Sequence, residues 1–288
     1  MKKILFLFVL FPGLLWAQDA AQTQDGELLS KRGYPILPQA GDFGIGFDAV
    51  PFLEYAGNLF SGSTSRNSVS ADFQNSTQQL VGKYFLDEST AIRARFRFRQ
   101  TNDTDRNRVI LDNQATPDPF VEVVDERQLN SSFFQFGAGL EKRRGQGRLY
   151  GIYGGEVFFT AARTKSSFEY GNPMTASNQR PTTTTNFSNG ANTMVIDRDV
   201  EVVSGRSFGL GINGFAGIEY FFAPKMGISA EFTYGFEFSQ TLRGRTTDEF
   251  FDVDQGIVRQ REFVSEGGSN FTLDTGNFGG AINLFFYF

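Results

Sequence analysis

The chain of 288 residues has no cysteine, no histidine and a single tryptophan, Trp16. Without cysteine there is no disulfide, no zinc–thiolate centre, no thiol nucleophile and no site for a lipoprotein anchor. Without histidine, Ser-His-Asp catalysis, histidine-ligated metals and imidazole acid–base steps drop out. Strong positive charge is absent too. Lys and Arg number 27 against 32 Asp and Glu, a net −5; without Lys2 and Lys3 the balance is 25 against 32, or −7. That disfavours nucleic acid as a partner. No glycine-rich phosphate loop stands between a strand and a helix. Gly44-Ile-Gly46 and Gly209-Leu-Gly211 sit in alternating segments and read as packing.

A long apolar run is also missing. Ile4–Leu15 is apolar, follows Lys2 and Lys3, and gives way to Trp16-Ala17-Gln18. This is the pattern of a secretory signal peptide, residues 1–17, too short for a spanning helix and interrupted by Pro12 and Gly13. Beyond it no stretch reaches spanning length. A membrane protein of this hydropathy crosses with strands.

Phenylalanine and glycine are abundant, at 34 and 32. The last segment shows how they are used. From Phe278 to Phe288, one face carries Ile282, Leu284, Phe286 and Phe288, and the other carries Asn283, Phe285 and Tyr287. Its length fits a tilted transmembrane strand. Its aromatic residues fit an interfacial girdle, with Phe286 and Phe288 at the periplasmic end. Phe285 and Tyr287 break the polar-inward pattern there, which predicts that they seal the lower end of a lumen.

Residues 18–41 are polar, end in Tyr34-Pro-Ile-Leu-Pro38, and read as a periplasmic lead-in. Residues 42–288 then alternate in eight segments: about 42–50, 77–85, 91–100, 132–140, 149–161, 208–222, 226–239 and 278–288. Short turns at 86–90, 141–148 and 223–225 alternate with long connections at 51–76, 101–131, 162–207 and 240–276. Short periplasmic turns and long external loops are the polarity of an outer-membrane barrel. The expected fold is all-β: an eight-stranded antiparallel up-and-down transmembrane β-barrel with long external loops. Within those loops, Phe52–Phe60 predicts an apolar cap on the rim and Pro181–Thr185 a mobile polar tip. Met194–Val203 and Ile257–Val264 alternate again and predict extensions of strands six and eight.

The third segment alternates most cleanly. Ile92, Ala94, Phe96 and Phe98 share one face; Arg93, Arg95, Arg97 and Arg99 share the other. An arginine at mid-bilayer in lipid costs about 2–4 kcal/mol, so the four must point inward. The same alternation turns Lys83, Glu156, Glu219, Glu231 and Glu237 inward. Eight strands enclose a space only just wide enough for side chains. Two readings follow: a charged pore or ion-binding lumen, and a packed polar core that plugs the barrel. The narrow interior favours the plug. The acidic stretch Asp248–Gly256 lacks calcium-loop spacing and reads as solvated charge.

Several pieces resemble the outer-membrane β-barrel proteins of Bacteroidota: Gly41-Asp-Phe-Gly-Ile-Gly-Phe-Asp-Ala-Val-Pro-Phe-Leu-Glu-Tyr55, Gly82-Lys-Tyr-Phe-Leu86 before Ala91-Ile-Arg-Ala-Arg95, Tyr150-Gly-Ile-Tyr-Gly-Gly-Glu156 and Glu169-Tyr-Gly-Asn172. The resemblance implies a small OmpA-like or OmpX-like eight-stranded barrel with no catalytic residues and no cofactor. The expected setting is the bacterial outer membrane, with termini periplasmic and long loops extracellular. The expected partners are outer-membrane lipid, the barrel assembly machinery during insertion, and other envelope proteins. The expected role is non-enzymatic: surface interaction, or an accessory subunit of an envelope complex. A passive channel or carrier for small or hydrophobic solutes is the alternative. A lipid-modifying barrel enzyme comes behind both, since no His–Ser pair exists.

Overall fold

The computed structural model describes residues 22–24, 27–49, 80–113, 118 and 120–288; for 22–24, 27 and 274–280 it describes the backbone alone. The expected signal peptide, the Phe52–Phe60 cap and the start of the second alternating segment lie outside the described residues.

The described chain is all-β. Two short strands, β1 (Gln22–Gln24) and β2 (Glu27–Leu29), pair with each other ahead of β3 (Phe43–Asp48), β4 (Leu80–Asp87), β5 (Thr90–Ile110), β6 (Glu122–Gln146) and β7 (Leu149–Glu169). Then come β8 (Thr182–Asn186), β9 (Ala191–Met194), β10 (Asp197–Val203), β11 (Ser207–Ala223), β12 (Met226–Thr241), β13 (Gly244–Asp252), β14 (Ile257–Ser265) and β15 (Gly268–Tyr287). All pairings are antiparallel. Going sideways, β3 pairs with β4, then β5, β6, β7, β11, β12 and β15, and β15 returns to β3. The sheet is a closed ring of strands.

The ring is strongly staggered. Lateral partners lead from Tyr287 through Gly44, Lys83, Arg93, Gly139, Glu156, Asn213 and Gly235, and re-enter β15 at Asp274 rather than Tyr287. Part of this offset is the register shift between Thr233 and Gly235; the rest is the stagger that tilts strands against the axis of a closed sheet.

Three two-residue turns mark the lower end of the ring: Glu88–Ser89, Gly147–Arg148 and Pro224–Lys225. Gly147 and Lys225 take positive φ, 62° and 56°. Lys225 holds this conformation against neighbours: its N–H donates to the Ile36 carbonyl at 3.0 Å, its carbonyl accepts from Tyr287 N–H at 2.8 Å, and its ammonium pairs with Asp42. The middle turn corrects the sequence reading. Residues 141–146 are not turn but the end of β6, so Glu141 and Arg143 continue the alternation and point inward.

The long connections are also corrected. Much of 101–131, 162–207 and 240–276 is paired strand above the ring. β5, β6 and β7 run on without a break, and β10, β13 and β14 extend the sheet beside β7. β10 and β14 continue the lines of β11 and β15, as the alternation of 194–203 and 257–264 predicts. β13 continues β12 in the same way. The breaks at 204–206, 242–243 and 266–267 line up across the three strands, with Gly205 and Gly267 inside them. A Cβ on Gly205 would lie 1.7 Å from the Leu242 carbonyl oxygen, so the strands approach there too closely for any side chain.

Polarity is inverted relative to a water-soluble sheet. Phe96, Tyr153, Val157, Leu210, Phe232 and Phe238 are all exposed on the outside of the ring. Lys83, Arg93, Glu141, Glu156, Glu219 and Glu231 are all buried inside it. In β15, Ile282, Leu284 and Phe286 are half-buried on the outer face, Phe286 stacks on Phe47 at 5.7 Å, and Phe288 is exposed. On β6 the apolar outer stretch runs from Phe134 to Leu140, with Ser132 above and Lys142 below. At roughly 3.4 Å per residue, the strand between those polar ends covers ~30 Å before tilt.

Candidate functional site

The interior of the ring holds a network of ionic side chains. Lys83 Nζ donates to Glu141 Oε1 at 2.8 Å and lies 3.6 Å from Glu219 Oε2. Arg93 donates through Nη1 to Glu141 at 3.1 Å and through Nη2 to Glu231 at 2.6 Å. Arg95 Nε lies 3.0 Å from Glu156 Oε2 and its Nη2 lies 3.7 Å from Glu231 Oε2. Neutral donors add to the carboxylates: Asn283 and Ser229 reach Glu231, Asn213 reaches Glu156, and the Tyr287 hydroxyl donates to Glu219. The Phe215 ring lies 4.3 Å from the Arg93 guanidinium carbon, a cation–π stack on the wall.

Strand order gives these contacts their geometry. Around the ring β5 and β12 stand opposite each other, as do β4 and β11. Arg93–Glu231 and Lys83–Glu219 are therefore struts across the interior rather than pairs between neighbours. Three cations, Lys83, Arg93 and Arg95, face four carboxylates. Arg143 brings the fourth positive charge, stacked over Tyr150 at 4.4 Å and flanked by Phe85 and Phe221. Burying such groups is tolerable where charges are paired or hydrogen-bonded; Arg143 instead rests against its three aromatic rings.

Of the inward residues expected from alternation, Lys83, Arg93, Arg95, Glu156, Glu219 and Glu231 meet in this network. Glu237 does not join it: it accepts from Thr160 Oγ1 at 2.7 Å, higher in the ring. Arg97 lies over the Phe133 ring at 5.2 Å, and Arg99 is half-buried above it, so both sit outside the central cluster. Glu141 and Arg143 also belong to the network, on β6 rather than in the turn expected over 141–148. The signal for them was the parity of β6: Phe134, Phe136 and Leu140 face outward, which turns 141 and 143 inward.

Below the network lies an apolar floor. Ile36, Val81, Phe85, Ala91, Phe221, Phe285 and Tyr287 form one buried cluster, with Leu28, Leu37 and Tyr150 packed against it. Tyr287 contacts Phe85, Phe221 and Phe285 with ring centroids 5.6–5.8 Å apart. Gly44 and Gly46 leave room for these rings: a Cβ would lie 2.5 Å from Tyr287 and 2.2 Å from Phe285. The segment before β3 is thus more than a lead-in, since Ile36 is fully buried and plugs the floor.

Above the ring, residues 170–194 pack on the sheet face that continues the interior. β6 is unbroken, so Asp125 lies on the same face as Glu141. Asp125 is fully buried and accepts from the N–H groups of Gly171 at 2.9 Å and Thr184 at 2.7 Å. Asn172, also fully buried, donates to the carbonyls of Ile110 and Thr182. Arg198 donates to Glu249 at 2.7 Å and to the Asn172 carbonyl at 2.9 Å, and stacks over Tyr170. Burial pushes the Tyr170 hydroxyl well above its ordinary pKa. This corrects the mobile-tip reading of Pro181–Thr185. β8 pairs with β9, and Thr183 and Thr184 are buried.

Among the described residues, no three acidic side chains converge as a metal site. Three carboxylates of the Asp248–Gly256 stretch are engaged within the protein: Asp252 accepts from Asp254 N–H, Gln255 N–H and Arg259, Glu249 pairs with Arg198, and Asp248 pairs with Arg261. Comparison with protein-family models, curated proteins and solved structures gives no match.

Proposed function

We propose that the chain is an outer-membrane β-barrel whose wall is the ring β3–β4–β5–β6–β7–β11–β12–β15, eight strands, and whose lumen is plugged. The observation that carries this reading is the inverted polarity, with phenylalanine, leucine and valine outside and paired lysine, arginine and glutamate inside. In water this arrangement pays twice, for exposed apolar surface and for buried charge. In a bilayer the outer face is solvated by acyl chains, and the closed ring leaves no wall strand with an unpaired backbone edge in lipid. The two-residue turns then lie on the periplasmic side. The sheet extension of β5, β6, β7, β10, β13 and β14, with its 170–194 cap, stands outside the cell.

The role that fits is non-enzymatic: surface contact through the extended sheet, or an accessory subunit of an envelope complex. The struts across the interior and the apolar floor favour a closed lumen over a passive channel. The resemblance of the sequence to the Bacteroidota barrel family agrees with this assignment. The test is the chain expressed with its own leader and recovered from cell membranes. It should fractionate with the outer membrane, float with liposomes after reconstitution, and give no steady single-channel current in planar bilayers. Recovery as a soluble protein overturns the barrel; large steady currents overturn the plug.

A further inference from the structure

Among the described residues, two exposed arginines at the top of the ring, Arg163 and Arg206, have no acidic partner. On β7 and from β10 to β14, the cations Lys165, Arg198, Arg243, Arg245, Arg259 and Arg261 all pair with carboxylates. Arg163 and Arg206 do not, and both are exposed. They are also neighbours. Ser207 pairs with Ala162 at the upper end of the β7–β11 ladder; Arg163 is the next residue on β7, and Arg206 is the residue just before β11, in the 204–206 break. Like charges side by side across strands repel. This chain carries excess acid and has supplied glutamate or aspartate to the cations around them.

Their height is what gives the pair meaning. Arg163 follows Tyr153, Val157 and Phe159 on the outer face of β7, an unbroken strand. One step below, Phe98, Phe134, Ala161 and Phe208 form a lateral row across four strands. At the level of Arg163 the outer residues turn polar, with Ser132 and Gln100 beside it. Immediately above, Lys165 and Arg245 are already neutralised by Glu201 and Glu262. The two uncompensated guanidinium groups thus stand at the upper border of the apolar band. There their stems can lie along apolar surface while their heads reach the polar boundary.

We propose that Arg163 and Arg206 form a binding site for the phosphate of a phosphorylated lipid headgroup in the outer leaflet. The inference rests on the barrel reading above, because it needs the apolar band to lie in lipid. A phosphate between the two guanidinium groups replaces repulsion with charge-assisted, forked hydrogen bonds. Continuity with the apolar band selects a lipid over a free anion, since one ligand then covers both surfaces.

The test uses the full protein extracted from membranes and native mass spectrometry with three probes: a bis-phosphorylated glycolipid, the same glycolipid dephosphorylated, and inorganic phosphate. The wild type should retain the phosphorylated glycolipid. The double variant R163Q/R206Q should bind it at least about ten-fold more weakly, the loss expected for two charge-assisted contacts. The variant R243Q/R259Q, which removes paired arginines of similar exposure, should bind as the wild type does. Equal retention by R163Q/R206Q overturns the site, as does equal binding of the dephosphorylated lipid to the wild type. Full displacement by millimolar phosphate overturns the choice of a lipid. Circular dichroism and liposome flotation of each variant separate these outcomes from misfolding. If the wild type itself fails to float, the barrel reading falls. If every protein floats and binding ignores the phosphate, only the site falls.

Discussion

Nη2 of Arg93 on β5 donates to Oε2 of Glu231 on β12 at 2.6 Å, across the interior of the ring. The contact joins strands far apart in sequence, and it closes only when the registers of the whole ring are right. It therefore discriminates between registers as well as contributing energy. Replacing Arg93 with methionine leaves Glu231 and Glu141 buried with fewer partners. Such a loss costs about 3–5 kcal/mol. Urea unfolding in detergent micelles should show a destabilisation of that order. The double variant R93M/E231M, which leaves balanced charges, should recover part of it. A single variant within about 0.5 kcal/mol of wild type, the range of ordinary surface changes, would remove the network from the stability argument.

The floor gives a second prediction. Phe285 is fully buried and Tyr287 nearly so, and each large-to-small change in a packed core costs about 3–5 kcal/mol. The variant F285A/Y287A should still insert, because the outer faces of Ile282, Leu284 and Phe286 are untouched. It should lower thermal stability and raise ion leakage across reconstituted bilayers. Ile36→Asp, which buries a charge in the same cluster from the other side, should produce the same leak. Unchanged leakage in both would mean that the charge network closes the lumen without the floor.

Much of the ring was legible because it obeys period two. The Arg/Phe alternation of 91–99 fixed the inner and outer faces of β5, and parity then turned Lys83, Glu156, Glu219 and Glu231 inward. The upper extensions were not legible as strand. Residues 101–108 and, apart from Leu129, 125–132 are polar on both faces, and a sheet wet on both sides has no hydrophobic period to read. Thr182–Asn186 looked like low-complexity loop because it is held by backbone N–H bonds, from Thr182 to Asp112 and from Thr184 to Asp125, which leave no trace in side-chain hydropathy. Glu141 and Arg143 were hidden by composition: a run of Glu-Lys-Arg-Arg with two glycines resembles a turn. Ile36 was hidden by distance, since the other buried members of its cluster all lie beyond residue 80 in the chain.

Asp125 supports the third prediction. Its carboxylate accepts two backbone N–H groups from the cap, so Asp125→Ala leaves both without an acceptor in a buried place. Each unsatisfied group costs about 1–3 kcal/mol, which is enough to open the cap locally while the ring stays folded. Limited proteolysis should then cut within 171–194 several-fold faster than in the wild type, with no change in liposome flotation. Equal cutting rates would show that Arg198 and Asn172 hold the cap without it.

The edge of the extended sheet supplies a pH dependence. Asp199 on β10 and Asp248 on β13 are lateral partners, and Asp197 and Arg261 stand beside them. Lost hydration, then the hydrogen bond with Asp248, then repulsion from Asp248 and Asp197 raise Asp199 to about 6. A carboxyl group raised in the folded state takes up its proton there more readily than in the unfolded chain. Its stabilisation is complete below about pH 4, the unfolded value, and is lost as pH rises through about 6. Hydrogen exchange of Asp197–Val203 and Gly244–Asp252, corrected for intrinsic rates, should therefore show more protection at pH 5 than at pH 7.5. Asp199→Asn keeps one hydrogen-bond donor at the contact at both pH values, so its protection should stay flat across the range. A wild type with equal protection at the two pH values would mean that Arg261 neutralises the pair and no proton is shared.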